Sequence, residues 1–298
     1  MGPTASGKSD LAEAIAKELG AQLINADAFQ MYKGLDIGTA KPENKGKYKL
    51  IDNLTPDEDY GVGQFARECC EILDGLYKEG RSAVVVGGTG LYIRAMTEQY
   101  DAMSARPDPN LREALDERLK AEGIDTLYAE LAARDPELAA KTDPQNPARV
   151  RRALERLDTL KEPISLPDFR QIKLGLLPER QFLLTKIESR TRRMIKMGWL
   201  DEIEGFRRQG FKSDDPGFRA IGYRQLWNCL DGITTLEEAI ATTIAATRQY
   251  AKRQATWLRS EPRLQALSHG NESEIFEQAW RVITRGLDGS LKQDGKSD

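Results

Sequence analysis

Apolar positions fall into two textures along the chain. In the first third, helical stripes alternate with short continuous runs. Leu11, Ala12, Ile15, Ala16 and Leu19 recur at helical spacing. Residues 21–26 (AQLINA) form a short apolar run, read as a parallel strand that ends at Asp27. Residues 49–54 are a second candidate strand, closed by Thr55-Pro56-Asp57. Residues 64–79 read as a helix with Phe65, Cys69, Ile72, Leu73 and Leu76 inward. Residues 83–86 (AVVV) are a buried strand that runs into Gly87-Gly88-Thr89-Gly90-Leu91-Tyr92. Such alternation predicts a parallel sheet covered by helices on both faces.

The texture changes after Tyr100. A turn-rich lead-in at 104–109 is followed by helical patterns at 111–123, 126–134 and 147–160, with no strand between them. This predicts an inserted, all-helical subdomain over 104–169, with Pro163 and Pro167 near its exit. The loop at 141–147 (KTDPQNP) leads to Arg149, Arg151, Arg152 and Arg156, either a solvated helix face or an RNA contact. Residues 172–177 return to strand character. Residues 186–208 form a long basic helical stretch that carries Arg190, Arg192, Arg193, Lys196, Arg207 and Arg208. Over 236–258, Leu236, Ile240, Ile244, Thr247, Ala251 and Leu258 share one face, and Arg248, Lys252 and Arg259 form a basic stripe. The tail at 285–298 is polar and is expected to be disordered.

Composition narrows the class of protein. The chain is 298 residues long, 40% hydrophobic and 31% charged, as expected of a soluble globular protein. No segment is long and apolar enough to span a membrane, and no signal peptide is visible. Three cysteines, Cys69, Cys70 and Cys229, form no C-x-x-C pair. Zinc and a disulfide framework are therefore not expected, and a reducing cytoplasm is. With a net charge of −3, nucleic-acid binding would need locally clustered basic residues.

Residues 2–9 (GPTASGKS) supply the chemistry. They fit G-x-x-x-x-G-K-[ST], a phosphate-binding loop opening a helix. Gly2, Thr4, Ala5, Ser6 and Gly7 would turn backbone N–H groups toward an anion, and Lys8 would add a cation. Ser9 would ligate Mg²⁺. The fold class that follows is α/β: a P-loop NTPase-like core with a parallel sheet flanked by helices, spanning 1–103 and 170–284 around the helical insert. Asp27, at a strand's carboxyl end near the loop, is either a metal ligand or general base, or a capping residue. The loop should follow a buried strand, yet only Met1 precedes it. Such a strand would bury about four aliphatic side chains, worth roughly 6–12 kcal/mol, comparable with the ~5–15 kcal/mol stability of a whole domain. The expectation is that this first strand is missing from a chain whose natural start lies further upstream.

Taken together, several blocks resemble one family, the bacterial tRNA dimethylallyltransferases, or tRNA isopentenyltransferases. They are GPTASGKS, INADAFQMY around Asp27, DIGTAKP at 36–42, GGTGLY at 87–92, ARVRRALE at 148–155, MIKMGWLDEI around Gly198, AIGYRQ at 220–225 and TRQYAKRQATWLR at 247–259. They occur in family order over nearly the whole chain. The resemblance implies transfer of a dimethylallyl group from dimethylallyl diphosphate to the exocyclic amine of the adenine on the 3′ side of a tRNA anticodon. The phosphate loop would then hold a diphosphate leaving group, whether or not it also binds ATP, with Mg²⁺ as cofactor. Asp27 would be the general base, with Lys8, Arg219 and Thr89 beside it in the catalytic set. The tRNA contacts implied are Asp27, Ala28, Phe29, Gln30, Thr89, Arg112, Ala148, Arg149, Val150, Arg151, Arg152, Arg219, Gly222, Tyr223, Arg224 and Gln225, with the insert wrapping the anticodon stem-loop of a monomeric enzyme. Ala28, Phe29 and Ala148 depart from the family's usual serine, Arg or Met, and glutamine. The single histidine, His269, lies outside every block.

Three other readings compete. A P-loop small-molecule or nucleoside kinase would account for the loop and Asp27, but not for the arginine-bearing insert. Prenylation of free AMP or ADP would not need that insert either. A catalytically inactive tRNA-binding protein would not need Lys8, Ser9 and Asp27.

Overall fold

Two short parallel sheets carry the core of the computed structural model, which describes residues 1–97, 108–159, 169–268 and 270–288. In the first, β1 (Gln22–Asn25) lies between β2 (Tyr48–Lys49) and β3 (Ala83–Val86), with Leu23 opposite both Tyr48 and Val84. In the second, β4 (Lys173–Leu176) pairs with β5 (Leu264–Leu267). Neighbouring residues on β1 point to opposite faces, as the strand repeat requires. Leu23 packs with Ala12 and Ala16 of α1 (Lys8–Leu19), whereas Ile24 packs with the cluster of Phe65 and Cys69 of α2 (Val62–Lys78) and Tyr92 of α3 (Gly90–Thr97). Both faces of β1 are therefore apolar, which is why its sequence reads as a run and not as an alternation.

The helical stretch after the first sheet builds its own core. α4 (Pro109–Glu122), α5 (Ile124–Arg134), α6 (Pro136–Ala140) and α7 (Pro147–Asp158) enclose Leu115, Leu127, Leu131, Val150 and Leu154. Asp108, Asp135 and Asn146 cap α4, α6 and α7, and each stands before a proline at the first helical position.

Beyond β4, α8 (Arg180–Lys196) and α9 (Trp199–Arg208) replace the single basic helix expected over 186–208. Gly198, at φ 96°, breaks the run in a conformation L-residues avoid. α10 (Tyr223–Leu230), α11 (Leu236–Arg259) and α12 (Glu272–Leu287) complete the fold. Lys173 of β4 is buried and pairs at 2.5 Å with buried Glu261, which fixes the chain just past α11 against the second sheet.

Other boundaries also move. The candidate strand at 49–54 shortens to Tyr48–Lys49, followed by an isolated bridge between Tyr32 and Leu54. Leu50 and Asp52 have positive φ, so the segment cannot continue as a strand. The polar tail begins later than residue 285, because α12 continues to Leu287 with Ile283 and Gly286 buried. The insert's lead-in at 104–107, its exit at 160–168 with Pro163 and Pro167, and His269 lie outside the described residues.

Candidate functional site

The phosphate loop folds as its sequence requires. Gly7, at φ 81°, caps α1, and Ser6 N–H donates to the Pro3 carbonyl at 3.3 Å. Ser6 is buried, and its Oγ has no hydrogen-bond partner among the described residues. A cavity of about 1010 Å³ opens in front of the loop, lined in part by Ser6, Lys8, Ser9, Lys186, Arg190 and Arg193. Burial pushes the Lys8 ammonium below its ordinary pKa, Asp27 opposes the shift and Arg190 adds to it. The Arg190 guanidinium is lowered for the same reasons, first burial and then neighbouring Arg193, again opposed by Asp27. Lys8 and Arg190 make no ion pair among the described residues, and Arg190 donates to Thr4 Oγ1. A buried orphan hydroxyl and two desolvated cations at a helix N-terminus form a receptor for a polyphosphate.

Asp27 is delivered to this receptor by β1. Buried Asn25 accepts from the Asp27 N–H at 3.1 Å and donates to the Leu50 carbonyl at 2.8 Å, which fixes the turn. The Asp27 carboxylate accepts from the Phe29 N–H at 3.0 Å. Thr89 follows β3 and accepts from the Ala28 N–H at 3.3 Å, so the two strand ends hold each other. Gln30 is turned away and donates to the carbonyls of Thr39 and Ala40.

Gln254 of α11 joins the site together. Its amide oxygen accepts from Thr4 N–H at 2.8 Å, and its amide nitrogen donates to the Gly88 carbonyl at 2.7 Å. A Cβ on Gly88 would lie 2.2 Å from that nitrogen, and one on Gly87 would lie 2.1 Å from the Ala26 carbonyl oxygen. These glycines are therefore required by close approach. Tyr250, one turn earlier on α11, lies beside Thr89 and Gln254, and burial and then the Asp27 charge push its phenol up. Sequence reasoning placed Arg190 only in a generic basic stretch, and gave Gln254 and Tyr250 no role beyond the resembling block. A polar glutamine inside an apolar helical stripe was the available signal.

Several residues expected at the site are placed elsewhere. Arg219 is about three-fifths exposed, lies 3.7 Å from Asp59, and does not line the cavity before the phosphate loop. Tyr223 is fully buried and donates to Glu202 Oε1 at 2.6 Å, so it is a core residue with no surface for RNA. Glu202 Oε2 in turn accepts from the N–H groups of Asp36 and Ile37, which docks the DIGTAKP loop on α9. Gly222 is buried against Trp199, and its N–H donates to Gln225 Oε1. Val150 is fully buried in the insert. Arg112 and Arg152 converge on buried Glu155, and Arg151 grips both oxygens of Asp116 at 2.6 and 2.7 Å. Ala148, Arg149 and Arg224 are exposed. Of the sixteen implied RNA contacts, these three stand clear of internal duty most plainly.

A phosphate loop facing a carboxylate at the carboxyl ends of parallel strands defines a protein that binds a polyphosphate ester beside a proton acceptor. The family model described as IPP transferase matches residues 30–261, and that described as isopentenyl transferase matches residues 1–50. A tRNA dimethylallyltransferase of Nitrosococcus oceani is 39% identical, with 96% of each chain covered. One from Bifidobacterium longum subsp. infantis is also 39% identical, over 100% of this chain and 94% of the relative. The full-length tRNA isopentenylpyrophosphate transferase of Bacillus halodurans superposes with a TM-score of 0.71 at 32% identity, covering 97% of this chain and 96% of its own. A eukaryotic dimethylallyltransferase acting on tRNA, at 23% identity over 100% of this chain and 80% of its own, shares the fold with a TM-score of 0.78. This chain belongs to the IPP transferase family.

Proposed function

We propose that this protein transfers the dimethylallyl group of dimethylallyl diphosphate to the exocyclic amine of the adenosine 3′ to the anticodon in tRNA. The observation that carries the reading is the Gln254 bridge, which ties the phosphate loop to the Thr89 loop beside Asp27. As the allylic C–O bond breaks, its electron pair leaves on the diphosphate. Lys8, Arg190 and the backbone N–H groups at the start of α1 stabilise that charge. The adenine amine attacks the allylic carbon, and its proton passes to Asp27. The amine is a weak nucleophile, so holding it against the carbon supplies much of the rate. Thr89 and Tyr250 border Asp27 and orient the adenine, which has to be unstacked to enter at a cost of a few kcal/mol.

Mg²⁺ fits the donor set in one way. Among the described residues no three acidic, histidine or cysteine side chains gather as a metal site. The ion would rest on the Ser9 hydroxyl and on diphosphate oxygens, both hard donors, and would neutralise charge on the leaving group. The anticodon stem-loop would meet the helical unit of α4 to α7 through Ala148 and Arg149, and the rest of the chain through Arg219, Arg224, Ala28 and Phe29. Arg112, Arg151 and Arg152 then act by shaping that unit. The enzyme is proposed to act as a monomer in the cytoplasm, where Cys69, Cys70 and Cys229 remain thiols.

A kinase would also use the loop, but the IPP transferase match over 30–261 favours prenyl transfer. Diphosphate release tests the choice. It is expected only when dimethylallyl diphosphate and tRNA are both present. ATP hydrolysis without prenyl transfer would support the kinase instead.

A further inference from the structure

Three of the sequence blocks meet at the first turn of α9. Glu202 Oε2 accepts the N–H groups of Asp36 and Ile37 at 2.9 and 2.7 Å, and its Oε1 accepts the Tyr223 hydroxyl at 2.6 Å. Trp199, three residues earlier, closes the same junction. A Cβ on Gly38 would lie 2.3 Å from its indole nitrogen, and one on Gly222 would lie 2.0 Å from its ring. Burial pushes the Glu202 carboxyl above its ordinary pKa, and the Ile37 N–H, the Tyr223 hydroxyl and the Asp36 N–H oppose the shift. Bonds to a carboxylate are charge-assisted, so this one side chain grips the 36–42 loop firmly. Gln30 grips the loop from its other side, through the carbonyls of Thr39 and Ala40. Ala40 between them is held at φ 52°, a conformation that a residue with a side chain seldom adopts unaided.

The loop held in this way walls the cavity in front of the phosphate loop: Asp36, Ile37, Ala40 and Lys41 line it together with Ser6 and Lys8. A carboxylate in such a wall repels an anion unless it is compensated. Asp36 is about two-fifths exposed, and its two oxygens rest on Lys41 at 3.0 Å and Lys45 at 2.5 Å. Lys41 is itself buried and also reaches Asp52 and the Tyr32 carbonyl. Asp10, Glu13, Glu43 and Glu272 line the same cavity, so one more uncompensated carboxylate would add to a charge that Lys8 and Arg190 already have to overcome. We propose that Glu202 is a positioning residue for the anion site: by holding the Asp36 and Ile37 N–H groups it keeps the Asp36 carboxylate turned onto Lys41 and Lys45. The proposal rests on the reading of this cavity as the diphosphate site. Without Glu202, two backbone donors lose their acceptor, the loop shifts, and the Asp36 charge acts on the diphosphate. Lys8, Arg190 and Asp27 keep their own contacts, so the effect falls on binding of the diphosphate and not on the chemical step.

The test reads inorganic diphosphate binding by calorimetry, and KM and kcat for dimethylallyl diphosphate with tRNA, in the parent and in variants of Glu202. Glu202→Ala is expected to weaken diphosphate binding and raise KM by about tenfold, with kcat within about threefold of the parent. Glu202→Asp, one methylene too short to serve both loops, is expected to behave in the same way and takes the place of the alanine variant if that one does not fold. Glu202→Gln should stay within about threefold of the parent, because its amide oxygen can face the two N–H groups and its NH₂ the Tyr223 hydroxyl oxygen. Adding Asp36→Asn to the alanine or aspartate variant should recover at least about fivefold in affinity, more than the same change gains in the parent. A lower melting temperature and lower kcat with unchanged diphosphate affinity, or no recovery on adding Asp36→Asn, would overturn the proposal. A parent that binds no diphosphate would overturn the reading of the cavity itself, and the proposal with it.

Discussion

Replacing Gln254 with leucine keeps the side chain's approximate size and deletes both ends of its bridge. Gln254 is 6% exposed, and the residues it serves, Thr4 and Gly88, are half-buried. The Thr4 N–H and the Gly88 carbonyl would each lose a partner held at 2.8 and 2.7 Å. An orphaned buried group costs about 1–3 kcal/mol, so for two groups on half-buried residues the loss amounts to at most about 2–6 kcal/mol. For a chain of this size that lowers the melting temperature by roughly 4–20 °C. The loss should also reach the ligand, because Thr4 and Ser6 shape the anion receptor. Calorimetry with and without inorganic diphosphate separates the two effects. The parent should gain stability with diphosphate by linkage, and the leucine variant should gain less. A leucine variant that melts within a degree of the parent and keeps the full diphosphate increment would refute the clamp.

Three further outcomes are expected. Asp27→Asn should keep tRNA and diphosphate binding, measured by filter binding and calorimetry, while turnover falls at least ~100-fold; near-normal turnover would remove Asp27 from the base role. Arg190→Gln should weaken dimethylallyl diphosphate binding by roughly 10- to 150-fold, the loss of one charge-assisted bond of about 1.5–3 kcal/mol, and an unchanged KM would place Arg190 outside the receptor. For Asp36, burial alone would raise the pKa, but the hydrogen bonds and charges of Lys45 and Lys41 outweigh it and hold the carboxyl below its ordinary value. Its folded pKa is thus depressed, so its stabilisation is complete above the ordinary carboxylate pKa of about 4 and fades as pH falls through the lower folded value. Urea midpoints from pH 6 down to 2 should fall less steeply in Asp36→Asn than in the parent, and parallel curves would show that Asp36 contributes nothing.

Local patterns made much of this molecule legible. The GPTASGKS loop, the AVVV strand and the stripe over 236–258 carry their structure in residue type and spacing, and the structure places them within a residue or two. The helical insert was readable because Pro and Gly punctuate it and no apolar run interrupts it. Long-range pairing was not readable. Leu264–Leu267 becomes a strand only because β4 lies beside it, and nothing in LQAL fixes that partner. The partners of basic residues were not readable either: the sequence shows that Arg112, Arg151 and Arg152 are charged, but not that they pair with Glu155 and Asp116. Tyr223 looked like a recognition residue because it sits in a resembling block, yet its block is built around Trp199 and Glu202. Gln254 was hidden by its neighbours, since one polar residue in an apolar stripe reads as a helix imperfection until the two loops it joins are seen together.

The central claim is prenyl transfer to an adenosine in tRNA. Unmodified tRNA, dimethylallyl diphosphate, Mg²⁺ and the purified chain are incubated together, and the digested nucleosides are weighed by mass spectrometry. The account predicts one adenosine, 3′ to the anticodon, heavier by a single five-carbon allyl unit, and its absence in Asp27→Asn. Unchanged nucleosides, with ATP consumed when it is supplied instead, would contradict it.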